Sequence, residues 1–251
     1  MASPFVLELA GPAGSGKTTI SDALRGFGIS LLSDRASVRA SSNLPFFVTS
    51  GLRLLPTLLR RPRDGRWYTR DELARMFYLT GTRRVLRDLG RGSCAVALDH
   101  GPAFQMAHLR EFGPERLRGP SFERWWSSLF RQWGETLNLV VWLDAPDEVL
   151  IERIRNREQR HDIKEISGQE AHILLGRYRS AYASVLARLT SGSALQVLRF
   201  STDSHSTDHV TRRILEEIAA ATGRGRSHVA YSDSSDPAAP SPVTAVRDAN
   251  S

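Results

Sequence analysis

The residues best suited to chemistry form a glycine-rich run near the start of the chain. Residues 11–18 read GPAGSGKT, which fits the spacing G-x-x-x-x-G-K-[ST]. Glycines in this spacing let backbone N–H groups converge on phosphate oxygens, and the start of the following helix adds partial positive charge. We expect Lys17 to reach the β- and γ-phosphates of a nucleoside triphosphate and the Thr18 hydroxyl to bind Mg²⁺. The predicted nucleotide-binding residues here are Gly11, Pro12, Ala13, Gly14, Ser15, Gly16, Lys17, Thr18 and Thr19.

Aspartates follow several apolar segments that are predicted to be strands. In an open parallel sheet, ligands bind beyond the carboxyl ends of the strands. Asp99 follows the apolar run 94–98, so we expect its carboxylate to face Mg²⁺ or to take a proton from an attacking hydroxyl. Asp34 is the second catalytic candidate, because the end of the second strand lies beside the phosphate loop in such folds. Asp144 and Asp203 are interpreted as turn or cap residues.

An arginine-rich segment follows the fourth predicted strand. Arg153 and Arg157 are four residues apart on a predicted helix, and Arg160 lies one turn further on. Like charges on one helix face repel each other unless an anion lies there. We interpret residues 153–167 as a lid, in which Arg153 and Arg157 neutralise the transferred phosphoryl group and Arg160 contacts the nucleotide. The alternative is a solvated helix face.

Strands and helices alternate along the chain, which is typical of a parallel sheet with crossover helices. The predicted strands cover residues 5–10, 28–33, 94–98, 139–143 and 195–200. The predicted helices cover residues 18–25, 44–60, 69–89, 103–111, 121–137, 146–157, 168–189 and 208–221. Residues 1–222 are therefore predicted to form one α/β domain, and the Ser, Asp, Ala and Pro-rich residues 223–251 a disordered tail.

Composition limits the possible partners. The formal charge of +7 is compatible with nucleic acid, but the arginines are spread over most segments, so nucleic acid is an unlikely main partner. No run of about 18 apolar residues occurs, and the N-terminus lacks a basic and apolar leader, so we expect no membrane association. The single cysteine, Cys94, excludes an internal disulfide and is expected in the core; a cytoplasmic location is the simplest interpretation.

Several of these motifs occur together in one known superfamily. The phosphate loop, Leu98-Asp99-His100, the run WLDAPDEV at 142–149 and the spaced arginines resemble thymidylate kinases and deoxynucleoside kinases. The resemblance implies a three-layer P-loop fold with a five-stranded parallel sheet in the order 2-3-1-4-5 and helices on both faces. It also implies ATP and Mg²⁺ as the phosphoryl donor, and an acceptor site between the helices after the second strand and the lid. These kinases usually carry Asp-Arg or Glu-Arg where this chain has Asp99-His100.

These observations lead to one functional expectation and two alternatives. We expect an ATP-dependent kinase that acts on a nucleoside, a nucleotide or a similar small acceptor, and a homodimer is compatible with this expectation. Weaker candidates for gripping the acceptor are Arg35, Arg39, Arg83 and Arg84. The alternatives are a P-loop ATPase that acts as a switch in an assembly, and a kinase of nucleic-acid ends.

Overall fold

The computed structural model describes residues 4–33, 66–89, 94–158 and 161–223. The predicted helix 44–60, the tail from residue 224 and four candidate site residues lie outside these ranges. Those four residues are Asp34, Arg35, Arg39 and Arg160, and the side chain of Arg84 lies outside the description as well.

Five strands and seven α-helices alternate over the described residues. In chain order they are β1 (Phe5–Ala10), α1 (Lys17–Gly26), β2 (Ser30–Ser33), α2 (Arg70–Leu89), β3 (Ala95–Asp99), α3 (Pro102–Phe112), α4 (Pro120–Gly134), β4 (Leu139–Asp144), α5 (Asp147–Arg155), α6 (Gly168–Thr190), β5 (Gln196–Ser201) and α7 (Thr207–Thr222). Short 3₁₀ turns at Glu115–Arg118 and Asp162–Lys164 precede α4 and α6.

Local sequence signals account for several helix starts. Thr69 and Glu72 exchange side-chain and backbone hydrogen bonds in a capping box at α2, and Ser167 and Glu170 do the same at α6. Helices α3 and α4 each begin with a proline that directly follows a glycine, and proline is favoured at the first helical position.

All strands of the sheet run parallel, in the order β2-β3-β1-β4-β5. Helices cover both faces. One face packs Phe5, Leu7 and Leu9 of β1 against α1 and α7, and the other packs Val6 and Ala10 against α2, α3, α4 and α6. The predicted sheet order and three-layer architecture are confirmed.

Two local predictions were wrong. Cys94 is exposed and lies just before β3, whose register with β1 begins with Ala95 opposite Phe5; only the Cys94 carbonyl bonds to β1, by accepting the N–H of Phe5. Helix α5 ends at Arg155, so Arg157 lies in the turn after the helix and not on the same helix face as Arg153. Within the described residues, the helices are too short or too polar to cross a membrane.

Candidate active site

The glycine-rich loop joins β1 to α1 at the carboxyl edge of the sheet. Gly11 has a φ of 142°, and a Cβ atom there would lie 2.0 Å from the carbonyl oxygen of Leu143 in β4. Only glycine fits this close approach. The buried Ser15 hydroxyl donates a hydrogen bond of 2.8 Å to the carbonyl of Pro12, which holds the loop in a compact turn.

Lys17 is the first residue of α1 and folds back over the loop. Its Nζ donates to the carbonyl oxygens of Gly11 at 2.8 Å and Pro12 at 2.7 Å. Burial lowers the pKa of Lys17 to about 8. A cation held at a helix N-terminus, where backbone N–H groups lack helical partners, is well placed to receive phosphate oxygens.

Three charged side chains from other elements act on Lys17. The carboxylates of Asp99 in β3 and Asp144 in β4 favour its protonated form, whereas Arg157 opposes it. Lys17 and Arg157 also lower the pKa of His161, for which burial is the largest cause. The charges of Asp99 and Arg157, predicted from separate parts of the sequence, thus both act on the loop lysine.

Asp99 occupies the last position of β3, opposite Leu9 of β1 and Ser33 of β2. Its neighbour His100 has a φ of 55°, in the left-handed region that residues other than glycine adopt uncommonly, although histidine does so more often than most. Such strained residues cluster at functional sites. Because β1 and β3 run parallel and Asp99 lies opposite Leu9, the turn after Asp99 lies at the same sheet edge as the phosphate loop.

The two described arginines of the predicted lid have different surroundings. Arg153 donates to the carbonyl of Gly14 at 3.4 Å, to the Thr202 hydroxyl at 2.9 Å and to the Thr202 carbonyl at 3.0 Å. It therefore links the phosphate loop to the end of β5. Arg157 is exposed and has an electrostatic influence on Lys17. Of the two, Arg157 is the more exposed.

The Asp144 carboxylate forms a salt bridge with Arg179 of α6. Arg179 donates from Nε to Asp144 Oδ2 at 2.8 Å and from a terminal nitrogen to Oδ1 at 3.0 Å, and it also forms a salt bridge with Asp147. The Asp144 carboxylate also accepts a bond from the Ala145 N–H. This pattern suits the structural role predicted for Asp144, since its oxygens hold the turn between β4 and α5.

A cluster of aromatic and polar side chains lies beside the Asp99 turn. The Phe104 ring stacks on His100 with centroids 4.5 Å apart, and the Arg75 guanidinium lies 5.2 Å from the Phe104 centroid. Arg75 also donates to Gln105, which donates to the His100 carbonyl. Burial raises the pKa of Tyr178 on α6, and Arg75 also acts on it. We call Arg75, Phe104, Gln105, His100 and Tyr178 the α3 cluster.

The Arg83 side chain lies away from the α3 cluster. Its guanidinium donates to the side chains of Thr136 and Gln132 at 2.8 Å, at the end of α4. The structure therefore places it against α4, whereas Arg75 on the same helix reaches the α3 cluster.

The donor set at the loop suits a magnesium ion. Mg²⁺ prefers oxygen ligands and is usually held by one or two protein groups together with substrate phosphates and water. The exposed Thr18 hydroxyl and the partly exposed Asp99 carboxylate supply oxygens of that kind. These residues therefore fit the predicted ion.

Sequence reasoning missed two residues. Glu8 is completely buried, yet it lies in β1 within the otherwise apolar run FVLELA. A lone carboxylate in such a strand was the available signal, because ionisable groups are seldom fully buried without partners. Arg75 carried no comparable signal, since its contact with Phe104 depends on how α2 and α3 pack.

Comparisons with known proteins identify similar folds. No protein-family model matches the chain. No curated protein matches it either. Among solved structures, deoxyadenosine kinase from M. mycoides with the products dCMP and dCDP is 12% identical with a TM-score of 0.48, covering 86% of this chain and 100% of that one.

Two further solved structures have similar scores. YorR from Bacillus subtilis, in complex with phosphorylated GDP, is 15% identical with a TM-score of 0.47, covering 89% of this chain and 99% of that one. TT1252 from Thermus thermophilus is 21% identical with a TM-score of 0.42, covering 88% and 98%. The chain has the three-layer P-loop NTPase fold. That assignment rests on its own sheet order and phosphate loop.

Proposed function

We propose that the protein is an ATP-dependent kinase that transfers the γ-phosphoryl group of ATP to a nucleoside, a nucleotide or a similar small acceptor. The observation that carries this proposal is the position of Lys17, held by two loop carbonyls within the field of Asp99, Asp144 and Arg157. Phosphoryl transfer requires such a set of groups around a phosphate-binding loop: a cation, a carboxylate and a further arginine.

The donor half of the proposed site uses the loop and α1. Lys17 and the backbone N–H groups at the start of α1 bind the β- and γ-phosphates. Thr18 and Asp99 would hold Mg²⁺, which would supply positive charge to the phosphates. Arg153 keeps the loop fixed against β5, and Arg157 meets the charge on the transferred group.

The acceptor half uses Asp99 and the α3 cluster. Asp99 orients the acceptor or accepts the proton of its attacking hydroxyl, a role that Asp34 could share. Phe104 is partly exposed, stacks on His100 and lies next to the polar groups of Arg75 and Gln105. That combination suits a planar ring that carries hydrogen-bonding groups, such as a nucleobase.

ADP release measured with and without acceptors tests this proposal. Each nucleoside and nucleoside monophosphate is added separately to protein, Mg²⁺ and ATP. A kinase releases ADP slowly alone and much faster with one class of acceptor. Rapid ADP release that no acceptor changes contradicts the proposal and favours the ATPase switch. Acceleration by oligonucleotides alone, with a steep salt dependence, favours a kinase of nucleic-acid ends.

A further inference from the structure

Glu8 lies in the middle of β1 and has no exposed surface. Its carboxylate is not left without partners. Oε2 accepts the N–H of Ala103 at 2.8 Å, and Oε1 accepts the N–H of Phe104 at 2.9 Å. Both carboxylate oxygens thus bind the first turn of α3, which belongs to a different part of the chain.

These two N–H groups are ones that a helix cannot satisfy internally. They belong to the second and third residues of α3, after Pro102, which has no N–H. A side chain at the residue before the helix normally accepts such bonds, but that residue is Gly101. Glu8 therefore caps α3 from the neighbouring strand.

Gly101 and Glu8 depend on each other. A Cβ atom on Gly101 would lie 2.6 Å from Glu8 Cδ, which is closer than real Cβ contacts allow. The backbone of Gly101 is extended, with φ −71° and ψ −164°, so its conformation would accept other residues. The close approach of the Glu8 carboxylate is what excludes a side chain there.

The bonds from Glu8 connect two halves of the proposed site. Three residues after Glu8, β1 has passed into the phosphate loop. Asp99 and His100 directly precede Gly101, and Phe104 is both a partner of Glu8 and the ring of the α3 cluster. A shift of α3 relative to β1 would therefore move Asp99 and Phe104 relative to Lys17.

From these contacts we propose that Glu8 is a positioning residue that sets the distance between the phosphate loop and the acceptor side of the site. This inference rests on the proposed kinase function. Among the described residues, the titratable groups whose fields couple to Glu8 are Asp99 in β3 and Tyr182 on α6. Burial raises the pKa of Glu8 and Asp99 raises it further, whereas the two N–H bonds lower it by favouring the ionised form, which offers both oxygens as acceptors.

Two variants separate positioning from simple helix capping. Glu8→Gln keeps the size of the side chain but offers only one oxygen, so it cannot accept both N–H bonds. In the double variant Glu8→Ala with Gly101→Ser, the serine caps α3 locally, in space that the carboxylate no longer occupies. The cap is restored there, but the link to β1 is not.

Steady-state transfer and binding of a non-hydrolysable MgATP analogue give the main measurements. For both variants we expect kcat to fall roughly tenfold to a hundredfold and KM for the acceptor to rise, since small misplacements of reacting groups are that costly. The Kd of the analogue stays within about threefold of wild type, because Lys17 and the loop are intact. The double variant recovers the melting temperature but not kcat. Recovery of both in the double variant, or an unchanged kcat and KM in Glu8→Gln, would overturn the inference.

Hydrogen exchange provides a measurement that does not need an acceptor. In the wild-type protein, binding of the MgATP analogue should slow exchange of the first-turn amides of α3. In the double variant, the same binding should leave those amides unchanged. If wild-type protein phosphorylates no acceptor but shows this difference, the kinase proposal fails and the coupling through Glu8 stands. If analogue binding affects α3 equally in both proteins, the coupling is wrong whatever the activity.

Discussion

ATP affinity should depend on pH through Lys17. Burial lowers the pKa of this lysine to about 8 in the protein without nucleotide. Phosphate oxygens stabilise the protonated form, so nucleotide binding raises the pKa again. Full affinity is therefore present below about pH 8 and is lost as the pH rises above it, because binding must then first protonate the lysine.

The size of the effect follows from the same pKa. With a value of about 8, roughly nine tenths of Lys17 is protonated at pH 7 and roughly one tenth at pH 9. The affinity for ATP should fall about tenfold between these pH values, which corresponds to about 1.4 kcal/mol. At pH 8, binding should take up about half a proton per nucleotide.

Titration calorimetry with a non-hydrolysable MgATP analogue can measure both quantities. Affinities at pH 7 to 9 give the slope, and buffers with different ionisation enthalpies give the proton uptake. Lys17→Arg is the matched control, because a guanidinium stays charged throughout this range. Glu8→Gln is the second control, because burial also raises the pKa of Glu8. If Lys17 is the group that titrates, the pH dependence of the affinity should persist in this variant.

Two results would refute this reasoning. One is an affinity that does not change between pH 7 and 9 in a folded wild-type protein. The other is the same pH slope in Lys17→Arg, which would assign the titration to a different group.

Three further predictions concern the carboxylates, the arginines and the tail. Asp99→Asn should keep ATP binding but slow single-turnover transfer by a factor on the order of 10². Asp144→Asn should instead mainly cost about 1 kcal/mol of stability, because it loses a partly exposed salt bridge to α6. If both variants slow transfer only mildly, Asp99 is not the base. Arg157→Ala should lower kcat about 10²-fold with little change in nucleotide Kd. Arg153→Ala should weaken nucleotide binding, because the loop loses its contact with the end of β5. If the two variants show the same changes in kcat and Kd, the two arginines do not have separate roles. Deletion of residues 224–251, which contain few large apolar side chains, should leave melting temperature and ATP binding unchanged, and a drop of many degrees would show that the segment packs on the domain.

The sheet and the phosphate loop could be predicted because they depend on local patterns. Continuous apolar runs such as LVVWL in β4 mark strands buried on both faces, and alternation with helices implies parallel pairing. The spacing of the glycines and Lys17 in the loop indicates phosphate binding. The capping box of Thr69 and Glu72 likewise lies within four residues.

The parts that could not be predicted depend on packing between distant segments. Arg153 and Arg157 look equivalent in sequence, but α5 ends between them and gives them different neighbours. Cys94 follows the apolar pattern, yet β3 starts one residue later. The capping of α3 by Glu8 joins residues 95 positions apart, which no local pattern reveals.

The central claim is transfer of the γ-phosphoryl group to an acceptor, and following labelled phosphate tests it most directly. Wild-type protein is incubated with Mg²⁺, γ-labelled ATP and a mixture of nucleosides and nucleoside monophosphates, and the label is traced by mass spectrometry. We expect the label to enter one phosphorylated acceptor in equal amount to the ADP formed, and Lys17→Ala to abolish this product. Label found only in free phosphate, or no ADP from a folded protein that binds ATP, would contradict it.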